Sequence, residues 1–166
     1  MYFVRMSCGH LREGVKAIKN VNEHPGLNTL VNKCHARAQS AFRNLCECLP
    51  KGKDHATFER YVKPIRNTIA FHYDTREVEW ALNDRVCRAS ASKICSATTG
   101  EDVHSTRFEF ADALLDTIVC RKLWGIHDAE ANREADRISD WSFQKSIDFL
   151  DFGENFVHLF LSQHAI

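Results

Sequence analysis

The spacing of apolar residues constrains the fold of this chain most, because they recur every three or four positions through most of its length. The clearest row comprises Leu27, Val31, Cys34, Ala38, Phe42, Leu45 and Leu49. Steps of three or four residues place side chains along one side of an α-helix. The sequence therefore predicts an all-α protein, an antiparallel bundle of about five to six helices.

The same spacing divides the first half of the chain into four helices. They are predicted at about 2–22, 27–49, 54–72 and 75–89. Pro25-Gly26 ends the first helix, and Asp54 can cap the third. The loop of Pro50 to Lys53 is short, which favours an antiparallel hairpin of the second and third helices.

The second half of the chain begins with a change in composition. Residues 90–107 are rich in Ser, Thr and Gly and are predicted to form an irregular loop. A fifth helix follows at about 107–124 and stops at Gly125, and a polar, solvent-facing helix is predicted at 128–138. A last helix starts at Ser139. The elements form a single domain over 1–166, with a core bundle at about 2–89 and C-terminal helices at about 107–163.

The composition indicates the number of domains and the cellular compartment. The 166 residues are 44% hydrophobic and 27% charged, which is typical of one compact domain. No window approaches the roughly 18 apolar residues of a membrane span. The seven cysteines are scattered and odd in number, which indicates reduced, buried thiols. We expect a soluble, cytoplasmic protein that does not enter a membrane.

The charges are unevenly distributed although the formal net charge is zero. Residues 1–100 hold 16 Lys and Arg against 9 Asp and Glu, whereas residues 101–166 hold 6 against 13. A locally basic face can bind a polyanion whatever the total charge. Alternatively, the two halves attract each other within the chain or across a dimer. The sequence leaves both interpretations open.

The last helix has more apolar width than one core needs. One side carries Phe149, Phe152, Phe156 and Phe160, and another carries Phe143, Ile147, Leu150, Val157 and Leu161. An apolar band this wide is either central in a core or shared with a second subunit. We therefore expect a homodimer.

The chemically most capable stretch is RYVKPIRNTIAFHYD, residues 60–74. Arg66 can grip a phosphate with two hydrogen bonds, and His72 can exchange a proton near neutral pH. Pro64 predicts a kink just before Arg66, because it lacks an amide donor and crowds the carbonyl of Arg60. On a straight helix Arg66 and His72 lie about 120° apart. They meet only through a distorted turn, a helix ending near His72, or a partner subunit.

The string IRNTIAFHYD resembles the Arg-x(4–6)-His signature of the HEPN superfamily (higher eukaryotes and prokaryotes nucleotide-binding), most closely its abortive-infection-type bacterial branch. The resemblance covers about residues 8–85. It implies a small, usually dimeric helical bundle whose catalytic members are metal-independent ribonucleases. Arg66 and His72 take the places of the catalytic pair, Asn67 that of the polar residue after the arginine, and Tyr73 lies near an accompanying tyrosine. It also leaves room for a further helix before residue 1.

Metal and cofactor chemistry find little support in the sequence. His10 with Glu13, and Glu154 with His158, do not supply the ligands of a helical di-metal site. No Cys-x-x-Cys pair, glycine-rich phosphate loop or dinucleotide fingerprint is present. We therefore expect a site without metal or cofactor.

The sequence thus predicts a HEPN-like protein that contacts RNA, with metal-independent endoribonuclease activity in a toxin–antitoxin or phage-defence system. Lys51, Lys53, Arg60 and Lys63 are expected to form a basic strip leading to Arg66. The alternative is a non-catalytic module, antitoxin-like or a scaffold, that dimerises through its C-terminal helices or binds a cognate toxin or antitoxin. His72 is then a core-edge histidine and Arg66 a surface cation. The five residues between them, where four are commonest in the family, favour that alternative.

Overall fold

The computed structural model describes residues 2–65, 67, 75–88, 114–126 and 128–164. Those ranges contain seven helices and no strand, which confirms the all-α prediction and slightly exceeds the predicted number of helices. The helices are α1 (Tyr2–Glu23), α2 (Pro25–Val31), α3 (Ala36–Cys46), α4 (55–65), α5 (Thr75–Arg88), α6 (114–123) and α7 (Asp128–His164).

Helix α1 confirms the first predicted helix and lies at the centre of the fold. Its apolar row of Cys8, Leu11, Val15 and Ile18 is buried, as the spacing predicts. Arg5, off that row, is also buried, because its guanidinium forms a 2.7 Å ion pair with Asp116 of α6. This pair joins the basic half of the chain to the acidic half.

The single helix predicted at 27–49 is wrong, because the chain breaks at residues 32–35 into α2 and α3. His35 is extended there, and its ring nitrogen Nδ1 accepts a hydrogen bond from the amide of Ala38, 3.1 Å away, as an N-cap. Gln39 donates to the carbonyls of Asn32 and Cys34 and closes the turn. The apolar row continues through the break, so spacing alone could not reveal it.

Helix α4 follows a tight turn and is not α-helical throughout. Gly52 packs so closely that a Cβ atom there would overlap the backbone of Glu47. The helix consists of an α turn, His55–Thr57, a π segment, Phe58–Val62, and a second α turn, Lys63–Ile65. The amide of Lys63 bonds to the carbonyl of Phe58, five residues back. The π segment lies next to Pro64, where the sequence predicts a distortion.

The next helices agree with their predictions where the structure describes them. Thr75–Arg88 matches the predicted fourth helix, and residues 114–123 are helical within the predicted fifth, with a π segment at Ile118–Leu123. Gly125 ends α6 as predicted, with a left-handed φ of 67° that favours glycine. The predicted loop at 90–107 lies outside the described ranges.

The two C-terminal helices predicted at 128–138 and from Ser139 are one helix, α7, of 37 residues. No proline or glycine interrupts residues 128–152, and the polar 128–138 part carries Ile138, which is fully buried. The expected solvent-facing helix is thus the first three turns of a longer one. The change from polar to apolar composition predicted that one helix ends at residue 138 and another begins, but the backbone stays helical through this point.

The buried residues form two clusters, one against the first part of the apolar row of α1 and the other against its last turns. The first unites α1 with α4 and α6 around Val62, Ile65, Ile118 and Trp124. The second lies between α1, α3 and α7, where the Phe42 and Phe152 ring centroids are 4.9 Å apart. Across the described part of the chain, no helix has the length and apolar character that crossing a membrane requires.

Candidate functional site

The residues of the predicted site are only partly described. Arg66, His72 and Tyr73 lie outside the described ranges, so their predicted convergence stays a prediction. Asn67 is described and exposed, and Lys51, Lys53 and Arg60 are exposed as well. Lys63 is half-buried.

Helix α4, which leads to these residues, is anchored by its inner side. Phe58, Tyr61, Val62 and Ile65 are buried in the first cluster. Because inner residues recur every three or four positions, the positions between them must face outward. The exposed Arg60 lies on that outward side. The chain therefore reaches residue 66 with one side fixed in the core and the other open to solvent.

The two cations of α4 are already engaged by neighbouring groups. The ammonium of Lys63 lies 2.6 Å from a carboxylate oxygen of Glu59, one turn earlier. The guanidinium of Arg60 lies 5.0 Å from the centre of the Tyr61 ring and donates to the carbonyl of Trp124. Both contacts are near the surface, where such pairs are weak and exchange readily for another anion.

Tyr61 connects α4 to the start of α7. Its hydroxyl donates to a carboxylate oxygen of Glu134 at 2.6 Å, and the guanidinium of Arg137 donates to both oxygens of that carboxylate. The hydrogen bonds from Arg137 and Tyr61 lower the pKa of Glu134 to about 2. Burial, and then the bond to Glu134, raise the pKa of Tyr61. The cluster therefore keeps Glu134 ionised and Tyr61 neutral at pH 7.

A second polar contact fixes the beginning of α4. Lys145 of α7 is buried, and its ammonium lies 2.6 Å from a carboxylate oxygen of Asp54, the residue before α4. The same ammonium donates to the carbonyl of Asn44 at 2.8 Å. A buried ammonium is tolerated only when paired in this way. Helix α4 is thus tied to α7 near both of its ends.

A cleft of about 260 Å³ opens between α1 and the first turns of α4. One wall carries Arg12, Lys16 and Lys19, which are spaced four and three residues apart and therefore share a side of α1. The opposite wall carries His55 and Glu59 of α4. The remaining lining is Val15, Cys48, Leu49, Pro50 and Phe58. Three cations and one carboxylate line this cleft, and two of the cations, Lys16 and Lys19, also pair with Glu13 and Glu23 outside the lining.

The cations of the cleft are not fully paired within the chain. The Nε atom of Arg12 is buried and has no hydrogen-bond partner among the described residues, although its guanidinium lies 5.9 Å from the centre of the Phe58 ring. Lys16 bonds to Glu13 at 2.8 Å, but both side chains are more than two-fifths exposed. An incoming phosphate could therefore bind Lys16 with little loss of stability. Pro50 lines the cleft, and Lys51 and Lys53 follow it in the chain.

Other chemistries find no support in the described part of the chain. Within it, no three His, Cys, Asp or Glu side chains come together as a metal site would require. Burial raises the pKa of the Cys8 and Cys48 thiols to about 12, which opposes the thiolate form that nucleophilic catalysis needs. These two cysteines are packing residues.

Nothing in the sequence marks Arg12, Lys16, Lys19, Glu134 or Arg137 as a member of a site. The α1 cations were recognisable as a polar side, but nothing in the sequence placed α1 beside the start of α4. Tyr61 and Glu134 are 73 positions apart in the chain. Their contact follows from tertiary packing alone.

Comparisons of this chain with protein-family models, with curated proteins and with solved structures found no match.

Proposed function

We propose that this protein is a homodimeric, HEPN-like RNA-binding protein that cleaves RNA without a metal ion. The observation that supports it best is the cationic cleft of Arg12, Lys16 and Lys19 beside α4, the helix that leads to the Arg66–Tyr73 motif. RNA is a polyanion, and phosphate contacts supply most of the affinity of sequence-independent binding. An abortive-infection or toxin–antitoxin setting follows from the resemblance of the motif.

In the proposed reaction, the 2′-hydroxyl of a ribose attacks the adjacent phosphorus and the 5′-oxygen leaves. His72 accepts the proton of the 2′-hydroxyl or donates a proton to the leaving oxygen, and Arg66 stabilises the negative charge of the transition state. Asn67 and Tyr73 orient the phosphate. The products are a 2′,3′-cyclic phosphate and a free 5′-hydroxyl.

The cleft and the basic residues after it would hold the RNA backbone on the way to this site. Lys16 exchanges its exposed partner Glu13 for a phosphate, and the unpartnered Nε of Arg12 gains an acceptor. Lys51, Lys53, Arg60 and Lys63 extend the cationic surface along α4 and the turn before it. Charge-assisted bonds to phosphate are stronger than neutral ones, which favours this exchange.

The test is cleavage of single-stranded RNA by the purified protein in the presence of a chelator. We expect cleavage that yields 2′,3′-cyclic phosphate ends and stops when the ribose at the cut is 2′-deoxy. Arg66→Ala and His72→Ala should each lower the rate by about 100-fold or more. Arg66→Lys should restore little activity, because a point charge cannot make the two-pronged contact with phosphate.

The matched control is Lys33→Ala, which removes an exposed cation from the turn between α2 and α3, outside the lining of the cleft. It should cleave like the unaltered protein. Cleavage that survives both Arg66→Ala and His72→Ala would contradict the proposed chemistry. Absence of cleavage with every RNA tried would favour the non-catalytic function over the ribonuclease function.

The second candidate is a non-catalytic interaction module, antitoxin-like or a scaffold, which binds its own copy or a cognate toxin or antitoxin. The exposure of Phe143, Leu150, Val157 and Leu161 on α7 favours it, since a solitary soluble domain rarely leaves such residues in water. RNA binding and cleavage separate the two candidates, because assembly through α7 is compatible with both.

A further inference from the structure

Helix α7 carries two separate rows of residues with heptad spacing. The inner row packs against α1, α3 and α4, and it consists of Ile138, Ser142, Lys145, Phe149, Phe152 and Phe156. The outer row lies about 140° round the helix. It consists of Phe143, Ile147, Leu150, Glu154, Val157 and Leu161. The bundle therefore uses only one of the two rows.

The outer row is exposed to a degree that is unusual for large apolar residues. Leu150 is 70% exposed, Phe143 66%, Leu161 59% and Val157 52%. Phe160, at the edge of the row, is 37% exposed. These residues lie on one side of α7 and form an apolar strip that only Glu154 interrupts.

The steps along the outer row are four, three, four, three and four residues. Such a strict alternation is the seam of a two-stranded coiled coil, where each apolar side chain fits between residues of a facing helix. The strip from Phe143 to Leu161 is about 27 Å long at 1.5 Å per residue. A straight helix of similar length is the shape that it fits, and α7 of a second copy is such a helix.

We propose that the outer row is the interface of a homodimer in which two α7 helices pack antiparallel about a two-fold axis near residue 152. The residue numbers are symmetric about that axis. Phe143 faces Leu161 of the partner subunit, Ile147 faces Val157 of the partner subunit, and Leu150 faces Glu154 of the partner subunit. Every position of the row then meets a residue of the same row.

Glu154 decides between the antiparallel and the parallel arrangement. In a parallel, in-register pair it would face its own copy inside the seam, and two carboxylates desolvated together repel each other. In the antiparallel pair the two Glu154 side chains lie on opposite sides of the axis. Each faces a leucine and can extend its carboxylate to solvent at the edge of the seam.

Gly153, next to the proposed axis, is an independent indication that another helix passes close by. Glycine inside a helix costs about 1 kcal/mol relative to alanine. A Cβ atom at Gly153 would meet none of the described residues within 4 Å, so packing against that part of the chain does not require a glycine there. A second helix that crosses α7 at this point would favour a glycine there, because small residues let two backbones approach closely.

The size of the strip is sufficient for association. With roughly 150–250 Å² for one large aromatic side chain, the five exposed residues offer on the order of 500 Å² in each subunit. Two subunits would bury about 1,000 Å² from these side chains alone, which is the lower limit for a specific interface. Flanking residues such as Gln144 and His158 add to it.

This inference specifies the partner of the proposed homodimer, but it does not depend on RNA chemistry. Its test is sedimentation of the full chain without RNA at micromolar concentration, where we expect a dimer. Leu150→Glu should weaken association by about 100-fold or more, because it removes an apolar contact and sets two carboxylates against each other. At a concentration too low for either protein to dimerise, the two should have the same melting temperature, since residue 150 is exposed in the single chain.

Leu150→Lys tests the direction of the helices. In the antiparallel dimer the introduced ammonium faces Glu154 of the partner subunit, so this variant should associate at least tenfold more tightly than Leu150→Glu. In a parallel dimer each introduced charge faces its own copy, and the two variants should be equally weak. Equal weakening would overturn the antiparallel arrangement.

The matched control is Gln163→Glu, which introduces the same carboxylate on the same helix at an exposed position about 160° from the outer row. It should associate like the unaltered protein. The proposed interface would be overturned if the unaltered protein were a monomer at about 100 μM. It would also be overturned if Leu150→Glu left the dissociation constant of the dimer unchanged. RNA cleavage would remain testable in either case, so the two proposals can fail separately.

Discussion

The side chain of Tyr61 makes contacts both in the core and near the surface. Its ring packs edge-on against Trp124, with 5.5 Å between the ring centroids, and the indole of Trp124 donates to the Tyr61 carbonyl. Its hydroxyl reaches outward to Glu134, which Arg137 holds in place. A phenol suits this position because its apolar body stays in the core while its tip needs a polar partner.

The pKa of Glu134 makes this cluster sensitive to pH. It is lowered from its usual value near 4.5 to about 2 in the folded protein. Ionised Glu134 therefore stabilises the fold fully above about pH 4.5, and this contribution is lost as the pH falls towards 2. Glu134→Gln should lower the free energy of unfolding by about 1 kcal/mol at pH 7, since a quarter of the side chain is exposed and screened.

Thermal unfolding by circular dichroism between pH 2 and 7 measures this effect. The gap in melting temperature between the unaltered protein and Glu134→Gln should be widest above about pH 4.5, narrow as the pH falls below that value, and close only near pH 2. Asp136→Asn, an exposed acid on the same turn, is the matched control and should leave the melting temperature nearly unchanged. A constant gap across the range would show that Glu134 acts by its shape and not by its charge.

The buried cysteines give a second expectation at the residue scale. Burial raises the pKa of Cys8 and Cys48 to about 12, so almost no thiolate is present at pH 8. Both should react with a thiol reagent only after denaturant is added, and peptide mapping of the modified sites measures this. The less buried Cys46 and Cys120 serve as internal comparisons. Fast labelling of Cys8 in native protein would contradict the packing of α1.

At the scale of elements, two glycines are expected to respond oppositely to alanine. Gly153→Ala should raise the free energy of unfolding of the monomer by up to about 1 kcal/mol, because alanine favours the helix and the added methyl group meets no atom of the described residues within 4 Å. In the proposed dimer the same change should weaken association, because the added methyl group increases the distance between the two α7 helices where they cross. Urea unfolding of the Leu150→Glu background isolates the first effect, and sedimentation of the single variant measures the second.

Gly52→Ala should destabilise the turn before α4. The added methyl group would overlap the backbone of Glu47, which cannot move as a flexible side chain could. We expect a loss of about 1–3 kcal/mol in the free energy of unfolding, measured by urea denaturation. Lys51→Gly is the informative comparison, since Lys51 adopts a left-handed φ of 76° that glycine accommodates more easily. It should be neutral or stabilising.

At the scale of the whole molecule, both interpretations of the charge asymmetry find a physical counterpart. Arg5 with Asp116 and Arg37 with Asp151 join basic N-terminal helices to acidic C-terminal ones. In the cleft between α1 and α4, Lys16 and Lys19 have only the exposed partners Glu13 and Glu23, and the Nε of Arg12 has no hydrogen-bond partner among the described residues. Attraction between the halves therefore uses some of the basic residues, and the cleft holds others that can meet a polyanion.

If RNA binds in the cleft, its affinity should fall with salt, because each neutralised phosphate releases counterions. Three contacts predict a slope of about −2 in a plot of log affinity against log salt, which is a loss of affinity of about 15-fold between 50 and 200 mM. Lys16→Glu should reduce this slope by about one contact, whereas Lys33→Glu, at an exposed position away from the cleft, should not. Fluorescence anisotropy with a labelled single strand measures both, and salt-independent binding would exclude the cleft as the site.

The sequence by itself determined the all-α class, the bounds of α1 and α5, and the stop at Gly125, because periodicity, propensity and backbone freedom are local properties. It could not separate α2 from α3, where a histidine cap interrupts a continuous apolar row, nor join the two parts of α7. It identified the excess apolar width of α7, but only tertiary packing showed which row the bundle buries and which it leaves in water. The cleft between α1 and α4 and the Tyr61–Glu134 contact also required the tertiary structure, since each brings together residues that are distant in the chain.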